Sequence, residues 1–124
     1  MNTSKRPTRE IKVSDCIFCG IAEGKIKSRT VYSDKGAVAF EDINAQAPVH
    51  IVVIPRQHID RLENATDPGI ISGIFDAIKK IVKEKGLDKE GYRVVVNSGR
   101  NAGQTVFHLH FHILSGRPMK WPPG

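Results

Sequence analysis

Residues 106–114 constrain this chain more than any other stretch. They read Val-Phe-His-Leu-His-Phe-His-Ile-Leu, with a histidine at every second position from His108 to His112 and large apolar residues between. Strict alternation marks a strand, because successive side chains on extended backbone point to opposite faces. The spacing predicts Leu109, Phe111 and Ile113 facing a core, and His108, His110 and His112 sharing the other face. Three stacked imidazoles are a poor structural choice: neutral, they waste burial, and charged, they repel. Together they point to chemistry. Two kinds use such a ladder, convergence on a metal ion or nucleophilic catalysis by one histidine that its neighbours orient.

The rest of the pattern fits one domain around that strand. Residues 30–33 and 37–40 read as strands joined by a turn containing Asp34 and Gly36, and 49–54 is a third strand, ended by Pro55. Residues 68–85 carry a 3.6-residue period through Ile71, Ile74, Phe75, Ile78, Ile81 and Val82. Asp67 is placed to cap that helix, Pro68 to start it and Gly86 to stop it. Gly73 inside it costs helix propensity and suggests close packing there. Residues 92–96 and 106–114 complete five strands, and 16–23 form a short helix. Strands that neighbour one another in sequence favour an α+β domain on a mainly antiparallel sheet.

Charge and cysteine content narrow the function classes. The chain has 124 residues and a net charge of +6, and Lys5, Arg6, Arg9 and Lys12 against Glu10 put half of that excess in residues 1–13. That segment has no apolar periodicity and reads as a flexible basic tail ahead of a domain over 14–124. The remainder is too modest to argue for nucleic acid and suits anionic small molecules equally well. The longest clean apolar stretch, Ile51 to Ile54, is far short of a membrane span. No apolar segment precedes Cys16, so a cytoplasmic protein is expected. Cys16 and Cys19 are too few for a disulfide framework.

Between the fourth strand and the histidines, Asn97-Ser-Gly-Arg-Asn-Ala-Gly103-Gln-Thr105 is rich in small residues. Its backbone N–H groups can turn inward on an anion. It is no P-loop, since the Gly-Lys-Ser/Thr element is missing and a strand follows it. Beside a histidine ladder, it reads as a phosphate cradle.

The stretch from His108 to Leu114 fits the alternating signature of the histidine triad (HIT) superfamily in full. From about Cys16 to Gly124 the chain resembles that family, and is most similar to its nucleotide-binding (HINT) branch. Phe40 to Pro48, His50 to Pro55, Tyr92 to Asn97 and the tail from Gly116 to Gly124 also match. The resemblance implies an α+β HIT fold with a five-stranded antiparallel sheet, one long and one short helix, and pairing into a homodimer. It implies a hydrolase for purine nucleoside phosphoramidates or related nucleoside monophosphate conjugates, working through a nucleotidyl-histidine intermediate without an organic cofactor. On it, His110 is the nucleophile, His112 lies near the phosphate and leaving group, and His50 and His108 support the nucleophile. Asn97, Gly103 and Thr105 match phosphate contacts, Asp42 and Ile43 ribose contacts, and Phe18, Ile21 and Ile26 the base slot. Trp121 would reach toward the partner's site. A near-neutral imidazole suits this chemistry, being both a nucleophile and a good leaving group from phosphorus.

Cys16 and Cys19 form a half-site for zinc, which His50 and His108 would complete as a Cys₂His₂ tetrahedron. Many microbial members of the family are expected to carry a structural zinc there, while animal members lack it. A redox role would want a strand before the pair, where the basic tail stands instead. Asp42 also has a plainer reading as a turn cap with Asn44, Phe18 and the two isoleucines as core, and His58 as a structural loop residue. The rival function is a nucleotide-binding or interaction protein with vestigial hydrolysis. A cupin-like metalloenzyme falls behind, because no carboxylate ligand follows the histidines. In the related uridylyltransferase branch the last triad position is glutamine, so His112 points to hydrolysis.

Overall fold

The computed structural model describes residues 15–123; the expected basic tail lies outside them. In chain order the regular elements are α1 (Ile17–Ala22), β1 (Thr30–Ser33), β2 (Ala37–Glu41), β3 (Val49–Pro55), α2 (Pro68–Lys85), β4 (Tyr92–Val96) and β5 (Phe111–Ser115). The five strands form one sheet in the order β1-β2-β3-β5-β4, and every neighbouring pair is antiparallel. This is the expected α+β architecture.

Local chemistry explains most boundaries. The Asp34 carboxylate accepts from the N–H groups of Gly36 and Ala37, both at 2.8 Å, which closes the β1–β2 turn. Asp67 caps α2 by accepting from the Gly69 N–H, Pro68 occupies the first turn, and Gly86 ends the helix with φ +68°. That left-handed geometry is open to glycine at little cost. Gly73 does not mark close packing: a Cβ there would meet nothing within 4 Å.

The two faces of the sheet have different jobs. On one, Ala37, Ala39, Ile51, Val53, Phe111 and Ile113 pack against Ile74, Ala77, Ile78 and Ile81 of α2, with Leu109 fully buried among them. Phe75, expected in that stripe, lies at its border, 46% exposed, with its ring edge-on to Phe111. On the other face Val38, Phe40, Val52 and Ile54 make a smaller apolar cluster under Phe18, Ile21 and Ala22 of α1.

The last strand is shorter than the expected 106–114. It begins at Phe111, where Val53 and Val96 pair with it from either side. Upstream, the ladder has no partners to offer. Pro55 has no N–H, and its carbonyl is taken by the His108 ring at 2.8 Å. The Leu109 N–H turns instead to the Ile59 carbonyl at 2.6 Å. The alternation survives this change, so the three histidines still lie opposite Leu109, Phe111 and Ile113.

Candidate active site

The triad is held by hydrogen bonds that fix each ring's tautomer. His110 Nδ1 lies 2.7 Å from the His108 carbonyl, which can only accept. The proton is therefore on Nδ1, and Nε2 of His110 keeps a free lone pair. The Gln46 N–H donates to His50 Nδ1 at 3.0 Å, which puts the His50 proton on Nε2. That nitrogen is 2.9 Å from His112 Nδ1, so His112 accepts there and carries its own proton on Nε2. The result is one imidazole with an available lone pair beside another with an available proton, their ring centroids 5.1 Å apart.

Burial keeps these rings neutral. Desolvation lowers the pKa of His110 below the ordinary histidine value, against an opposing effect of its bond to the His108 carbonyl and of Asp42. His112 is pushed down to about 4 by burial and then by its neighbours His110 and His50. His50 is lowered by burial as well, with Asp42 opposing. Asp42 Oδ2 lies 3.4 Å from His50 Nε2, and Oδ1 accepts from the Asn44 N–H at 2.8 Å. The plain reading of Asp42 as a turn cap holds, and its carboxylate still has acceptor sites to offer.

The residues expected around a nucleotide are distributed unevenly. The Phe18 ring meets His110 edge-on at 5.1 Å and Phe40 at 5.4 Å, so it walls His110 on the α1 side. Ile21 packs in the apolar cluster beneath. Ile26 is 40% exposed and covers Gly20, where a Cβ would strike its side chain. Ile43 is fully exposed and Trp121 is 82% exposed. In the loop after β4, Gly103 and Thr105 face solvent while Gln104 between them is buried, and Asn97 is half-buried. Gly99 and Gly103 have φ of +92° and +93°.

A second cluster sits on the far side of His108. Cys16, Cys19, His58 and His108 present four ligand atoms within 4.8 Å of one another. His58 takes the place expected for His50. In the sheet His50 pairs with Leu114, at the far end of the ladder from His108, and no tetrahedron spans that separation. His50 belongs instead with Asp42 and His112. Sequence reasoning missed His58 because nothing in its loop sets it apart.

The donor set fits a structural zinc. Bonds of about 2.3 Å to sulfur and about 2.0–2.1 Å to nitrogen at the tetrahedral angle put those atoms about 3.5 Å apart. His108 Nδ1 lies 3.4 Å from Cys16 Sγ and 3.5 Å from Cys19 Sγ, and His58 Nδ1 is 3.3 Å from Cys19 Sγ. With its Nε2 proton given to Pro55, His108 turns an unprotonated Nδ1 to the sulfurs. Burial, aided by Cys16, raises the Cys19 thiol to about 11. A divalent cation would reverse that preference by binding the thiolate.

Fold and site together define a small α+β protein whose sheet carries a nucleophile-competent histidine beside a proton-bearing one. The HIT domain model matches residues 23–119, and the chain belongs to the HIT family. A HIT family hydrolase from Legionella pneumophila superposes with a TM-score of 0.85 at 42% identity, over 88% of this chain and 99% of that one. A histidine triad protein from Clostridium difficile gives 0.84 at 47% identity, over 89% and 97%. Among sequence relatives, a 14 kDa zinc-binding protein of Zea mays is 43% identical over 94% of this chain and 93% of its own length. No helix among the described residues is long and apolar enough to cross a membrane.

Proposed function

We propose that the protein hydrolyses purine nucleoside phosphoramidates, or closely related nucleoside monophosphate conjugates, through a covalent intermediate on His110. The tautomer arrangement carries this reading: Nδ1 of His110 is committed to the His108 carbonyl, so the ring offers Nε2 as a nucleophile with no prior proton transfer. Nε2 attacks the α-phosphorus, a new N–P bond forms, and the bond from phosphorus to the leaving amine breaks. The neutral His112 ring hydrogen-bonds its Nε2–H to the departing nitrogen or a phosphoryl oxygen, while the departing nitrogen takes up a proton from solvent and leaves as the free amine; the proton that the attacking water later releases restores the balance. Water then cleaves the phosphorus–histidine bond, releasing nucleoside monophosphate and restoring His110.

Asn97 and Thr105 supply donors to the phosphate, which Gly103 lets approach for want of a side chain while its own N–H stays on the Arg100 carbonyl; Asp42 and Ile43 meet the ribose, and Phe18 with Ile21 and Ile26 receives the base. Asp42 then has two tasks, since it also faces His50. The cysteine–histidine cluster holds zinc in a structural role, which gives the His108 backbone a fixed place from which to orient the nucleophile. A histidine triad nucleotide-binding protein from Candida albicans, with a TM-score of 0.76 at 35% identity, agrees with a nucleotide ligand.

The test is rapid-quench mass spectrometry during turnover of a fluorogenic adenosine phosphoramidate. A nucleotidyl adduct is expected on His110, and His110→Ala should lose turnover while still binding AMP. A wild-type rate in His110→Ala would sink the covalent mechanism. Binding of AMP without turnover by the native chain would favour a nucleotide-binding role.

A further inference from the structure

Gln104 is a buried polar side chain that the proposed chemistry does not use. It is only 5% exposed, yet it lies between two solvent-facing residues assigned to the phosphate. Its hydrogen-bonding capacity is spent inside the protein. Oε1 accepts from the Gly99 N–H at 2.8 Å, while Nε2 donates to the Asp60 carbonyl at 2.6 Å and the Val106 carbonyl at 3.1 Å. Its own backbone N–H donates to the Gly99 carbonyl at 3.1 Å. One residue thus closes the loop from 99 to 104 upon itself and fastens it to the segment after β3.

That segment meets the loop again through a second tie. The Leu62 N–H donates to Ser98 Oγ at 3.1 Å, and Ser98 Oγ–H donates to Glu63 at 2.8 Å. The Arg61 guanidinium lies over Gly99, in space that any Cβ there would need. The segment is itself anchored to the triad, through the bond from the Leu109 N–H to the Ile59 carbonyl.

We propose that Gln104 is the positioning residue of the phosphate loop. By drawing its side chain inward onto Asp60 and Gly99 it fixes the course of the loop, so that the flanking Thr105 faces outward while the Gly103 N–H is held on the Arg100 carbonyl at 3.0 Å. It contacts no substrate in this role. A free loop would have to be ordered by the substrate at each binding event, whereas this one is preorganised. The segment 58–64 is then the support against which the loop is set. The inference rests on the phosphoramidase reading for its ligand, but its structural half stands apart from it.

The experiment separates the two. Gln104→Met keeps the bulk and removes all three side-chain bonds. We expect AMP affinity to fall about tenfold or more by calorimetry while adenosine affinity stays within about twofold, because only the phosphate is read by the loop. In turnover the loss should not be confined to KM, since a misplaced phosphate also meets the nucleophile poorly. Amide hydrogen exchange over residues 98–105 should rise at least about tenfold. Ser98→Ala, which cuts the second tie, should move the same quantities less and guards against a Gln104 variant that does not fold. An unchanged ratio of AMP to adenosine affinity, with unchanged exchange in 98–105, overturns the proposal. If the wild-type chain binds neither ligand, the nucleotide reading fails on its own. The exchange data then decide whether Gln104 sets the loop, and unchanged exchange refutes it.

Discussion

Replacing His58 by alanine should weaken zinc binding, and replacing His50 should not. The expectation follows from geometry: His58 Nδ1 lies 3.3 Å from Cys19 Sγ, close to the edge of a zinc tetrahedron, while His50 bonds His112 at the other end of the sheet. Structural zinc binding is worth about 10–16 kcal/mol over four donors at neutral pH, so one imidazole accounts for about 3 kcal/mol. At 1.4 kcal/mol per decade this is about a hundredfold in affinity. Water filling the vacated position would recover a part of it. Competition against a chromophoric chelator measures the change directly. Cobalt substitution gives a second readout, because thiolate charge-transfer absorption should persist with both cysteines bound while the d–d bands change with the loss of the imidazole. His58→Ala with zinc affinity within about threefold of wild type, or a comparable loss in His50→Ala, would refute the assignment.

Two further outcomes concern stability. Leu109 is fully buried in the core behind the triad, so Leu109→Ala should destabilise by about 2–5 kcal/mol in denaturant unfolding; a cost under about 1 kcal/mol would show that the site collapses around the cavity. Acid should also weaken the fold. Burial holds the His112 pKa at about 4, against 6.5 for an ordinary histidine, and lowers His50 and His110 in the same direction. Between those values the unfolded chain binds more protons, so this contribution is complete above about pH 6.5 and is lost as pH falls toward about 4. Unfolding midpoints measured across that range in the presence of a chelator should fall, and a flat profile would contradict neutral buried rings.

The parts of this molecule that are local in sequence are the parts the sequence discloses. Asp67, Pro68 and Gly86 act within a few residues of themselves, and α2 begins and ends where they stand. The alternation from His108 to Ile113 likewise assigns each side chain to a face before any partner is known. What escapes is set by register and by competition for backbone groups. The start of β5 depends on Pro55 lacking an N–H and on Ile59 claiming that of Leu109. The choice of His58 over His50 beside the cysteines depends on how far β3 runs before it meets β5. Gln104 is a polar residue in a glycine-rich loop by sequence, and only its burial reveals its three partners.

The cysteine–histidine cluster has a consequence for the unfolded chain. Cys16 and His108 are 92 positions apart in sequence, and His58 falls between them. A metal that bridges these residues closes most of the domain into two covalent-like loops. By the loop-closure relation used for disulfides, one crosslink of that span removes about 4–5 kcal/mol of chain entropy from the denatured ensemble. A domain of this size has only about 5–15 kcal/mol of net stability to begin with. The ion would then act as a reversible crosslink, formed without oxidation, and its release would be felt first in how readily the chain unfolds.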